Sequence, residues 1–156
     1  MTTGHISIYR ATSADIDILM RWRMTVLAEV FSGNPGNDSE ALAEANRDYY
    51  LRALADGSHV AVFARIGDIT AGCGGVCFQR EMPSPDNPSG IDAYLMNIYV
   101  DPKYRRNGVA RAIVTQLVET ARDKGAGKIY LETSECGRKL YAGMGFGKLE
   151  EMMILK

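Results

Sequence analysis

A chain of 156 residues, 46% hydrophobic and 24% charged, is long enough for one domain with a sizeable core and is ordinary for a globular protein. Its formal net charge of −1 argues against a general nucleic-acid binder, and no apolar run nears the roughly 20 residues that span a bilayer. The opening MTTGHISIYRATSAD lacks a basic segment followed by an apolar core, and three cysteines suit reduced thiols rather than a disulfide framework, so a cytoplasmic location is expected.

Residues 6–12 alternate and predict a strand, after which Thr12 or Ser13 offers a helix cap. Ile16, Leu19, Met20, Leu27, Val30 and Phe31 then fall mostly on one helical face. A loop follows at 32–38, a second helix at 39–55, and DGS at 56–58 ends it. Strands are predicted at 59–66 and 69–81, joined by a tight turn at Gly67-Asp68. A proline-rich loop at 82–90 leads to a mostly apolar, hence central, strand at 91–100. From Ala110 the residues Ile113, Val114, Leu117, Val118 and Ala121 trace an amphipathic helix that Gly125 or Gly127 stops. Then come a strand at 128–133, a short helix at 134–144 with Ser134 as cap, and a final hairpin at 146–155. This order predicts an α/β domain: a mixed sheet with helices on both faces.

Between the central strand and the long helix stands YRRNGVAR, residues 104–111. A helix that starts straight after a loop leaves backbone N–H groups unpaired, and its dipole adds positive charge there. Gly108 removes the Cβ that would hold an anion away from those amides, and Arg105 and Arg106 add charge. The pattern fits a pyrophosphate cradle. Neither G-x-x-x-x-G-K-S/T nor G-x-G-x-x-G occurs, which removes a nucleotide triphosphatase and a dinucleotide dehydrogenase.

Arg105-x-x-Gly108-x-Ala110 matches the Q/R-x-x-G-x-G/A signature of the GNAT superfamily of N-acetyltransferases, and NIYVDPKYRRNGVARAIV resembles that family's strand–loop–helix unit. LETSECGRKLYAGMGF resembles its second signature, with Tyr141 followed by Gly145-Phe146. The resemblance implies a GNAT fold over residues 1–156 and acetyl-CoA as co-substrate. It implies a pantetheine arm on the strand backbone at Ile98, Tyr99 and Val100, and a pyrophosphate beside Arg105 on the amides of Arg106, Asn107, Gly108, Val109 and Ala110. Ser134, Gly137, Arg138 and Leu140 would flank the arm or the nucleotide from the other side. Tyr141 matches the tyrosine that protonates the departing thiolate, and the N–H of Val100 or Tyr99 would stabilise the oxyanion.

The family uses different bases, or water. Asp92 and Tyr94 share one face of the central strand and are candidates here; Glu132 is another, although a surface or ion-pairing role also suits it. Glu29 and Glu81 are further choices. No cysteine or histidine spacing supports a metal, and no G-x-S-x-G supports a serine hydrolase. The expected acceptor is the amine of a small molecule, bound by the first two helices and the loops at 32–38 and 82–90; a peptide or protein amine, or a noncatalytic acyl-CoA sensor, are the alternatives. Arg21 and Arg23 fit an acceptor with a carboxylate or a solvated helix face equally well. Met144, Met152 and Met153 read as core or dimer packing, which leaves a homodimer open.

Overall fold

The computed structural model describes residues 4–37 and 39–156. The loop expected at 32–38 ends on Asp38, which lies outside the described residues. The elements are β1 (Ile6–Arg10), α1 (Ile16–Val30), α2 (Glu40–Asp56), β2 (His59–Ile66), β3 (Ile69–Arg80), β4 (Ile91–Val100), α3 (Val109–Asp123), β5 (Lys128–Leu131) and α4 (Glu135–Gly143). The sheet order is β1-β2-β3-β4-β5; the first four strands are antiparallel neighbours and β5 runs parallel to β4. This is the mixed sheet that the alternation of elements predicts.

Local chemistry sets the helix starts. Thr12 and Asp15 form a reciprocal capping box ahead of α1, and the Ser39 hydroxyl accepts from the Leu42 N–H at 3.1 Å to open α2. On one face of the sheet α3 buries Val109, Ile113, Val114, Leu117 and Ala121 against Val62, Val76, Ala93 and Leu95. On the other, α1 and α2 bring Leu19, Met20, Val26 and Tyr50 onto Ala61, Phe63 and Cys73. Helices therefore cover both faces. Among the described residues no helix is long and apolar enough to cross a membrane.

The expected hairpin at 146–155 does not form. The chain after α4 carries no strand, and Met153 and Leu155 are 99% exposed. Glu150-Glu151 sit in a turn and MMIL at 152–155 is apolar without alternation, so no register buries one face. A lone two-stranded hairpin is marginal without a sheet to join.

His59 is 3% exposed beneath α2, and its Nδ1 lies 2.8 Å from the Tyr49 hydroxyl. Burial, aided by the Arg23 charge, depresses its pKa from 6.5 to about 4. The unfolded chain takes a proton near pH 6.5 and the folded chain does not until near pH 4, so this contribution to stability is complete above pH 6.5 and is lost as pH falls towards 4. Denaturant unfolding at pH 7 and pH 4 should differ by up to about 3 kcal/mol from this group. His59→Gln, which cannot take up the proton, should remove that component; an unaltered pH dependence would contradict the assignment.

Candidate active site

β4 and β5 pair only as far as Leu95 and Leu131. Beyond them β4 runs on to Val100 with no strand among the described residues on its β5 side, while β5 ends two residues short of the expected 133. The gap widens into a cavity of about 950 Å³. Along it lie Tyr94 to Val100 of β4, the loop to α3, the segment Glu132–Ser134 and the α4 residues Gly137, Leu140 and Tyr141, with Arg23, Val26, Glu29 and Val30 of α1 and Phe31 just past its end closing the far side.

Asn97 shapes the strand here. Its φ is +56°, a left-handed value that asparagine tolerates better than most residues, and the β3–β4 register shifts beside it. The shift changes the side-chain parity of β4: Ala93 and Leu95 face α3 before it, Ile98 and Val100 after it. Three groups hold this bulge. Arg23 Nη1 donates to Asn97 Oδ1 at 3.1 Å, Asn97 Nδ2 donates to the Tyr50 hydroxyl at 3.4 Å, and the Cys73 thiol donates to the Asn97 carbonyl at 3.4 Å. Burial pushes the Cys73 thiol up to about 12, so it remains a donor at neutral pH. Sequence reasoning passed over Asn97; a single asparagine inside an apolar strand was the available signal.

The loop from β4 to α3 is fixed by its own side chains. Asn107 Nδ2 donates to the carbonyls of Tyr104 and Arg105, both at 3.1 Å, and Arg106 takes a left-handed φ of +65°. Gly108 is the residue before the first turn of α3, with φ +81° and nothing within 4 Å of where a Cβ would stand. Among the described residues no acceptor is bonded to the amide N–H groups of Arg106 to Ala110. Such a cluster at a helix start suits an anion.

The structure brings most expected site residues to this one cavity: Ile98, Tyr99, Val100, Arg105, Arg106, Gly108, Val109, Ala110, Glu132, Ser134, Gly137, Leu140 and Tyr141 line it. Asn107 and Arg138 do not; Asn107 ties the loop, and Arg138 pairs with Glu135 at 3.6 Å. Arg105 lines the cavity with its charge already engaged. Its Nε donates to the Val100 carbonyl at 3.0 Å, and its Nη2 lies 3.4 Å from Glu29 Oε1. The Tyr99 hydroxyl and then Arg105 hold the Glu29 carboxyl below its ordinary pKa.

Asp92 lies elsewhere. It is 7% exposed at the start of β4 and accepts from Asn87 Nδ2 at 2.7 Å; burial and neighbouring Glu81 raise its pKa. Asn87 also donates to Glu81 at 3.0 Å, which folds the loop at 82–90 back on itself. No residue of that loop, and neither Asp92 nor Glu81, lines the cavity. Asp92→Ala should therefore cost about 1–3 kcal/mol of stability, through the short hydrogen bond from Asn87 that it removes, and leave kcat/KM within about threefold. A loss of activity exceeding tenfold in a folded variant would contradict this placement.

Tyr141 stands half-buried on α4, its ring edge-on to Phe146 at 6.0 Å between centroids. A Cβ at Gly137 would lie 3.1 Å from that ring and 2.5 Å from Thr133 Oγ1, so glycine one turn earlier makes room for it. Among the described residues its hydroxyl has no hydrogen-bond partner, and burial raises its pKa above 10. Where β4 and β5 still pair, Tyr94 stacks on Tyr130 at 5.0 Å, and burial, with Glu132 alongside, raises the Tyr94 pKa.

A mixed sheet that parts between β4 and β5, beside a helix start rich in free amides, is the GNAT fold. The chain belongs to the acetyltransferase (GNAT) family, whose sequence profile matches residues 23–146. A predicted acetyltransferase from Clostridium acetobutylicum, crystallised with acetyl-CoA, superposes with a TM-score of 0.87 at 24% identity over 97% of this chain and 96% of that one. A GCN5-related N-acetyltransferase from Ralstonia eutropha gives 0.82 at 25% identity over 97% and 99%. Glucosamine 6-phosphate N-acetyltransferase of Trypanosoma brucei brucei is 36% identical over 62 residues, 40% of this chain and 42% of that protein. The matched stretches span less than half the length of the curated relatives.

Proposed function

We propose that the protein transfers the acetyl group of acetyl-CoA to a primary amine of a small molecule by direct attack. The observation that carries this reading is the open β4–β5 gap leading to the unpaired amides at the start of α3. The Clostridium acetobutylicum protein, which shares the fold and was crystallised with acetyl-CoA, supports the choice of acyl donor. The trypanosomal relative, named for acetylating an amino sugar phosphate, supports a small acceptor.

In this reading the diphosphate sits on the N–H groups of Arg106 to Ala110, with the Arg106 side chain as added charge. The pantetheine arm lies along the free side of β4 from Ile98 to Val100, as an added strand would. Ser134, Gly137 and Leu140 form its other wall. The thioester then lies near the Asn97 bulge, where an N–H of Tyr99 or Val100 can donate to the oxyanion.

The acceptor ammonium first gives a proton to Glu132, directly or through water. Glu132 is the carboxylate of the cavity wall that has no ion pair among the described residues, whereas Glu29 is held by Arg105. The neutral nitrogen attacks the thioester carbon, the tetrahedral intermediate loses the nitrogen's extra proton to solvent as it collapses, and the C–S bond breaks. Tyr141 donates its proton to the leaving thiolate. Release of free thiol from acetyl-CoA across a panel of small amines tests the proposal. Amine-dependent turnover is the expected result; tight coenzyme binding with no turnover across the panel would leave a sensor rather than an enzyme.

A further inference from the structure

We propose that the acceptor carries an anionic group, a carboxylate or a phosphate, and that Arg23 binds it. The inference rests on the acetyl-transfer reading of the cavity and names the substrate class that the cavity selects.

Arg21 and Arg23 look alike in sequence, and the structure separates them. Arg21 is exposed, whereas Arg23 is half-buried and lines the cavity. A guanidinium has five N–H donors. Arg23 gives Nε to Asn46 Oδ1 at 2.9 Å and one Nη1 proton to Asn97 Oδ1 at 3.1 Å. Asn46 is itself anchored, its Nδ2 donating to the Leu42 carbonyl at 2.9 Å. Both of these acceptors are neutral carboxamides. Among the described residues no carboxylate lies within ion-pair distance of Arg23.

A partly buried cation is ordinarily paired, because desolvation is costly when no counter-charge offsets it. Even the exposed Arg105, the other arginine joining α1 to this site, has a carboxylate partner in Glu29 at 3.4 Å. Arg23 does not, and its charge reaches its surroundings: it contributes to the depressed pKa of His59 and opposes the rise of Tyr49, Tyr50 and Tyr94. Two asparagines hold the guanidinium in place while three of its N–H groups stay available, which is the arrangement a bidentate oxyanion needs. Its position against the Asn97 bulge sets that oxyanion beside the thioester end of the cavity rather than the diphosphate end. Glu132 lines the same cavity and suits the reacting ammonium, while Val26, Val30 and Phe31 offer apolar contact. The acceptor thus has an amine at one end and an anion at the other. A polycationic amine would meet the uncompensated charge of Arg23 instead.

Two matched pairs test this: lysine against cadaverine for a carboxylate, and glucosamine 6-phosphate against glucosamine for a phosphate. With acetyl-CoA as donor, the anionic member of one pair should exceed its partner at least about tenfold in kcat/KM. Arg23→Gln should bring that ratio to within about threefold, chiefly by raising KM, and Arg23→Lys should retain part of it. Equal or better use of cadaverine and glucosamine by the unaltered protein would overturn the inference. So would a preference that survives in Arg23→Gln, or a uniform fall in kcat at constant preference, which would make Arg23 only a support for the bulge. If none of the four compounds turns over, calorimetric titration of each into the CoA-loaded protein decides. Arg23-dependent binding of an anionic member upholds the anion site at Arg23 and leaves the transferase reading to the amine panel; no such binding sinks the inference.

Discussion

Gly108→Glu should weaken acetyl-CoA binding on the order of 100-fold or more while the chain remains folded, as read by titration calorimetry and by circular dichroism. Gly108 has φ +81°, so any side chain there costs roughly 1–2 kcal/mol of backbone strain. Space is not the obstacle, since nothing stands within 4 Å of the added Cβ. A carboxylate before the first turn of α3 also offsets part of that strain, by roughly 0.3–1 kcal/mol with the helix dipole. Binding suffers for the same reason that the helix does not: the new negative charge occupies the anion site, and like charges brought together cost several kcal/mol. Gly108→Ala shares the strain without the charge and should lose less than about tenfold in affinity. Equal affinity in Gly108→Glu and the unaltered protein would remove the diphosphate from this loop.

Tyr141→Phe should lower kcat about 100-fold or more and change the affinity for acetyl-CoA less than about threefold. The substitution keeps the ring that packs on Phe146 and removes a hydroxyl with no partner among the described residues, so the fold has little to lose. What disappears is the proton for the leaving sulfur. Burial raises the Tyr141 pKa above its ordinary 10, so the phenol stays protonated and able to donate at neutral pH and beyond. Loss of turnover from this group should begin at higher pH than an exposed phenol would give, and should be absent from the pH profile of the variant. Wild-type kcat in Tyr141→Phe would show that water, not this phenol, protonates the thiolate.

Much of this architecture is legible in the residues. The 3.6-residue period of α3, the capping Thr12, the tight Gly67-Asp68 turn and the apolar β4 all report local preferences that packing reinforces. The loop YRRNGVAR is legible for a similar reason, because a glycine at the start of a helix is itself a statement about backbone conformation. Harder to read were features set by long-range pairing. The hairpin at 146–155 needed a sheet partner that it does not have. The end of β5 at Leu131 is fixed by where β4 turns away, not by its own composition. Nothing local marks Asn97 within its strand; only the fold brings Arg23, Tyr50 and Cys73 onto it from three other elements. Asp92 and Tyr94 share a strand face, yet Asn87 draws the first into a structural cluster while the second lines the cavity.

The most direct test is a crystal structure with acetyl-CoA bound. The diphosphate oxygens are expected within about 3 Å of the main-chain nitrogens of Arg106 to Ala110, the pantetheine arm between β4 and β5, and the sulfur within reach of the Tyr141 hydroxyl. A coenzyme seated outside the β4–β5 gap, with those nitrogens still facing solvent, would contradict this placement.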